Sequence, residues 1–309
     1  MGIFSFVCSC AGSFCRGVAS LGSSLVSGIA RGISSVVSAG VNLVSGIISK
    51  GGFLGTIAEG AKKLFSAATG LVVGPLGSTL GSIVGELLLL CAVTLIESLV
   101  RDTKAIDEDE EEEVKAEEVG YRVNEASKHE DWQPRENFAC TSDYHNYLKQ
   151  QIPEVDEEDI KANFLTYKVL GASLMLLCVE EQNKIDMPVD LVVELSRCRV
   201  SGSEILAIID KFQKSGYDMQ MLFDFMRGRL KGSQRVAVEK ELEAAFTKAN
   251  PEWTNDVVSE RVASLRKASQ DDVFMANLYQ RELDELRKIP QERQSNQDVK
   301  AVWDKCRAE

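Results

Sequence analysis

Catalysis in this chain would have to rest on cysteine or carboxylate, since eight cysteines stand against two histidines, His129 and His145. Cys140 and His145 are the only sulfur–imidazole pair close in sequence, between Trp132 and Tyr147. A thiolate nucleophile built on such a pair also needs a shaped site and an oxyanion donor. The polar stretch around it promises neither. No C-x-x-C occurs, and no zinc-ligand spacing can be assembled from these residues. A Gly-rich phosphate loop after a strand and a G-x-S-x-G elbow are both missing. Carboxylates are plentiful, but nothing marks out a pair. The expectation is a protein that is not an enzyme, with no catalytic residue, cofactor or metal.

The other chemistry open to cysteine is acylation. Gly2 follows Met1 as an N-myristoylation signal requires, although Phe6 stands where that signal has Ser or Thr. Cys8, Cys10 and Cys15 beside an apolar segment could accept palmitate and supply a second anchor. The alternative is that they are small apolar residues on a buried face, the reading that also suits Cys178 and Cys198 at apolar helical positions. The first fifteen residues lack a basic n-region and no cleavage site follows, so no secretory signal is expected. A reducing, cytoplasm-facing setting suits the charged part of the chain.

The elements that would carry such anchors divide the chain by charge. Residues 1–100 hold eight charged side chains, net +2, and 17 of the 23 glycines; the whole chain of 309 residues has a net charge of −12. No Lys/Arg-rich stripe exists to neutralise phosphates, which excludes a basic nucleic-acid binder. From Val18 through Leu25, Ile29, Ile33, Val37, Val44 and Ile48, apolar residues recur at steps of three and four, a helical period. The opposite face is almost uncharged: serines, Asn42 and Arg31. Exposed helix faces of soluble proteins normally carry Glu and Lys, so this helix needs an outside surface. A lipid interface is one such surface. Close helix packing through Gly28-x-x-x-Gly32 is the other. Leu25–Ile29 repeats as Leu43–Ile47, an eighteen-residue shift that keeps the same helical face.

Leu64 to Gly85 is an uncharged run of 22 residues, long enough to cross roughly 30 Å of hydrocarbon. It holds Gly70-x-x-x-Gly74 and a glycine zipper at Gly77, Gly81 and Gly85, whose spacing lines one helical face. Pro75 predicts a break or kink. Glu86 and Glu97 follow, eleven residues apart on one face. A carboxylate at bilayer centre costs about 2.5–3.5 kcal/mol, so Glu86 should face protein, water or the interface. A single span, an interfacial bundle, an oligomeric pore and a core inside a larger assembly all fit this pattern; an ordinary soluble helical core is the remaining alternative, disfavoured by the lack of polar surface.

Seven consecutive acids, Asp107 to Glu113, then predict a solvated acidic linker over 102–152, partly helical near Val114–Val119. From Pro153 the pattern becomes that of conventional helices: Ile160, Phe164, Tyr167, Gly171, Leu174 and Cys178 form one stripe. Ser201-Gly-Ser-Glu204 is a capping box, with Gly216 as the stop. The expected fold is all-α. It comprises a membrane-interacting or self-associating segment at 1–101, the linker, a bundle of six to seven helices at 153–290, and a C-terminal helix at 291–309.

Within that bundle, the run Phe164-Leu-Thr-Tyr-Lys-Val-Leu-Gly-Ala-Ser-Leu-Met-Leu-Leu and the stretch from Glu204 to Phe246 resemble the TerB-like domain. That family comprises tellurite-resistance protein B and its relatives, among them membrane-tethered bacterial J-domain co-chaperones. The resemblance covers residues 164–250, under a third of the chain. It implies a helical domain beside a glycine-rich membrane segment. The Asp-Gly and following acid implicated in metal binding in that family are missing from Glu180–Pro188 and from Lys248–Trp253, so no metal site carries over. A J-domain signature is also missing.

Together these features lead to a membrane-associated protein. Its N-terminal segment would insert into or coat a bilayer and form a homo-oligomer, while the helical domain binds protein partners on the cytoplasmic side. A structural component of a virion or cage, packing through the same segment, and a pore-forming effector are the alternatives.

Overall fold

A computed structural model describes residues 40–76, 78–106 and 114–270, without the side chains at 69–84, 86–87 and 268–270. Among the described residues every regular element is helical. Residues 40–48 form a short helical stretch. After it come α1 (Gly52–Leu76), α2 (Ser78–Thr103), α3 (Ala116–Ala126) and α4 (Thr141–Gln151). The chain continues with α5 (Glu157–Ala162), α6 (Phe164–Asn183), α7 (Val189–Arg197) and α8 (Gly202–Ser215). It is completed by α9 (Met219–Met226), α10 (Gly232–Ala249) and α11 (Asn255–Gln270).

Local chemistry explains most of the boundaries. Ser201 Oγ accepts from Glu204 N while the Glu204 carboxylate accepts from Ser201 N, a reciprocal cap on α8, and Gly216 closes that helix at φ 71°. Asp156 and Asp218 cap α5 and α9 by accepting backbone N–H groups of the first turn. Pro188 precedes α7, whose first turn has no use for the missing N–H.

Helix α6 is the axis of the fold. Every residue from Phe164 to Leu176 is buried, as expected of a helix surrounded on all sides by others. α3 crosses it most intimately, α1 and α2 pair with each other and lie along α6 and α7, and α8 touches α2 on one side and α10 on the other.

The uncharged run at 64–85 breaks where Pro75 predicts: α1 ends at Leu76 and α2 starts at Ser78. Among the described residues no helix is long and apolar enough to cross a membrane. The arrangement differs from the sequence reading in the supposed linker. Residues 116–126 form α3, in which Ala116, Val119, Gly120, Val123 and Ala126 are buried against α6, so this part of 102–152 is core and not a solvated tether. The apolar spacing of three and four was present but masked by the surrounding charge.

Helix α2 finds its apolar partners within the chain. Leu88, Leu89, Leu90, Ala92, Val93, Leu95, Ile96, Leu99 and Val100 are all buried. The 40–48 stretch behaves similarly: Val44 and Ile47 are buried while Asn42, Ser45 and Ser49 are exposed, the two faces that the sequence pattern predicts for this stretch.

Candidate functional site

Of the residues singled out for membrane contact or self-association, Gly2, Cys8, Cys10, Cys15, Gly28, Gly32 and Gly77 lie outside the described residues. Gly70 and Gly74 fall in α1, Gly81 and Gly85 in α2, on either side of the α1–α2 break, and Gly85 is buried. Glu86 is in α2, its side chain outside the description. Its companion Glu97 is not directed at lipid or water. Glu97 Oε1 lies 2.9 Å from Lys168 Nζ and accepts from Ala116 N at 3.2 Å.

Lys168 is fully buried in α6 and also reaches Glu117 Oε2 at 2.8 Å. One ammonium therefore holds carboxylates from α2 and α3. Burial alone would lower the Lys168 pKa, but Glu97 and Glu117 outweigh it and hold the amine above its ordinary value. Next to this triad the α3–α6 crossing depends on two glycines. A Cβ on Gly120 would fall 1.8 Å from Tyr167 O, and one on Gly171 would fall 1.8 Å from Ala116 O. Among the described residues Gly120 and Gly171 make a close backbone approach that the sequence reading does not single out. Their signals were a glycine inside each apolar stripe and a lone lysine inside an otherwise apolar run.

A concave feature lies on the other side of α6. It is a groove of about 870 Å³ between α1, the C-terminal end of α6, the α6–α7 connection and the end of α9. Four carboxylates line it, Glu59, Glu180, Asp186 and Asp190, together with Lys63. Glu180 is half-buried, and its Oε1 accepts from Met187 N at 2.7 Å. Desolvation, helped by nearby Asp186, pushes its carboxyl up to about 7. Arg227 and Arg229 also line the groove, each with its guanidinium about 5.5 Å from the Phe223 ring centre. Arg227 is paired with buried Glu194, and Arg229 with Asp224 at 3.1 Å. A half-buried carboxylate poised near neutrality in a cleft marks a binding-site candidate.

No family model, curated protein or solved structure matches this chain.

The cysteine–histidine pair does not assemble a nucleophile in this geometry. Cys140 precedes α4 and lies 3.6 Å from Ser142 Oγ. His145 is buried, and desolvation with nearby Arg122 pushes its pKa down to about 4. An imidazole held neutral in this way is a poor counter-ion for a thiolate. Cys178 and Cys198 are both buried, with thiols raised by desolvation, as inert core cysteines are. Among the described residues no cluster of His, Cys, Asp or Glu could hold a metal ion.

Proposed function

We propose that this is a non-enzymatic protein acting at a bilayer. In this reading the N-terminal segment inserts into or coats the lipid and self-associates, and the helical body, with its TerB-like resemblance, recruits protein partners on the cytoplasmic side. The observation that carries the reading is a mismatch between what the stripe needs and what the body offers. Residues 18–37 carry Val18, Leu21, Leu25, Val26, Ile29, Ile33, Val36 and Val37 at helical spacing. Among the described side chains the body offers little fully exposed apolar surface to receive them, Val236 and Val257 being the exposed large hydrophobics there. Leaving such side chains in water forgoes roughly 1.5–3 kcal/mol each relative to full burial. A bilayer interface accepts a bulky apolar face opposite a small, nearly uncharged polar one.

Flotation of the full-length protein with phosphatidylcholine–phosphatidylserine vesicles tests this. The wild-type chain rises with the lipid, and a Leu25→Asp/Ile29→Asp variant stays in the dense fractions. Wild-type protein that stays behind overturns the reading. Large particles formed without lipid or detergent, seen by light scattering, would point to assembly through the same segment.

A further inference from the structure

We infer that the groove between α1, α6 and the α6–α7 connection docks a basic segment of a partner protein, with a Lys or Arg side chain seated at Glu180 and Asp186. This rests on the partner-recruiting half of the proposed function and is independent of the membrane half.

Charge complementarity decides the occupant. Glu59, Glu180, Asp186 and Asp190 have no cationic partner among the described residues. Two of the three cations in the groove are already committed, Arg227 to Glu194 and Arg229 to Asp224. Lys63, exposed on α1, is the cation left over. Four carboxylates thus face one uncommitted ammonium, and a negatively charged ligand would meet net repulsion. Desolvation and Asp186 both disfavour the ionised Glu180, and no cation offsets them. A cation delivered by a ligand would relieve both.

The groove also suits the rest of such a side chain. Leu177 and Val189 border it and are partly buried, giving the methylene stem of a Lys or Arg an apolar wall while its charged end reaches the carboxylates. A volume of about 870 Å³ lies within the range of specific binding clefts. The charged groups that line the groove with Glu180 are Glu59 and Lys63 from α1, Asp186 and Asp190, and Arg227 and Arg229 from the end of α9.

The test uses the full-length chain without lipid and a labelled peptide of alternating leucine and arginine, followed by fluorescence anisotropy. Glu180→Gln/Asp186→Asn weakens binding by up to about tenfold, the effect of two partly exposed ion pairs. Gln keeps the carbonyl that accepts from Met187 N, so the local fold is retained, and Asp190→Asn at the start of α7 gives a second, smaller loss. Glu130→Gln/Asp131→Asn removes two exposed charges elsewhere and leaves affinity unchanged. An equal loss in that control, no loss in the groove variants, or equal binding of a leucine–glutamate peptide each overturns the proposal. Flotation reads the membrane segment separately, so the two failures are distinguishable.

Discussion

Replacing Lys168 by methionine removes the one positive charge from a buried site that holds three charges. The wild-type ammonium is fully buried and lies 2.9 Å from Glu97 and 2.8 Å from Glu117, whose side chains are each 8% exposed. Methionine fills a similar volume but leaves two carboxylates facing each other away from water. Removing one partner of a buried ion pair costs about 3–5 kcal/mol, mostly as the penalty of the orphaned charge. Folded domains have a total stability of roughly 5–15 kcal/mol, so the loss is large. Urea unfolding of the full chain followed by circular dichroism measures it, with an unchanged slope showing that the unfolding transition itself is the same. The triple variant Glu97→Gln/Lys168→Met/Glu117→Gln recovers most of the loss, because no unpaired charge remains. A loss below about 1 kcal/mol for Lys168→Met would refute the reasoning, since it would mean that water solvates the triad. A triple variant as unstable as the single one would assign the loss to packing.

Two further outcomes follow from the same core. Gly120→Ala forces α3 and α6 apart, because its Cβ would fall 1.8 Å from Tyr167 O. It should cost about 1–3 kcal/mol or more and lower the Tm by several degrees. Gly46→Ala, with open space around the added Cβ, should be neutral or slightly stabilising, and an unchanged Tm for Gly120→Ala would contradict the crossing. His145 has a folded pKa near 4, below the usual 6.5, so the unfolded state takes up its proton first. Its neutral burial therefore favours the fold fully above pH 6.5 and loses roughly 3 kcal/mol as pH falls toward 4. His145→Leu should flatten the stability–pH curve over that window; a curve of unchanged slope would remove His145 as the cause.

What could be read from the sequence was local. The Ser201–Glu204 cap, the Gly216 stop, the Pro75 break and the two faces of 40–48 each depend on residues a few positions apart. What could not be read depends on partners far along the chain. Lys168 sits alone in an apolar run, and nothing near it announces that Glu97 and Glu117 supply its counter-charges. Helix near Val114–Val119 is expected from the sequence, but the burial of α3 is hidden because Glu117 and Arg122, normally marks of an exposed face, are both buried there, Glu117 against Lys168 and Arg122 donating to Ile152 O at 3.0 Å. The groove is lined by residues of α1, α6, the α6–α7 connection and the end of α9, and no local periodicity encodes their convergence.

The seven acids at 107–113 join two helices of one core. Ile106 is buried at the end of α2, Ala116 is buried at the start of α3, and the Glu97–Lys168–Glu117 triad ties these helices to each other through α6. The parts of the chain before and after those seven residues are thus held together by non-covalent forces as well as by the covalent link. A protease cut there would yield two chains that stay associated like subunits, and the cut protein would come apart only when the core itself unfolds.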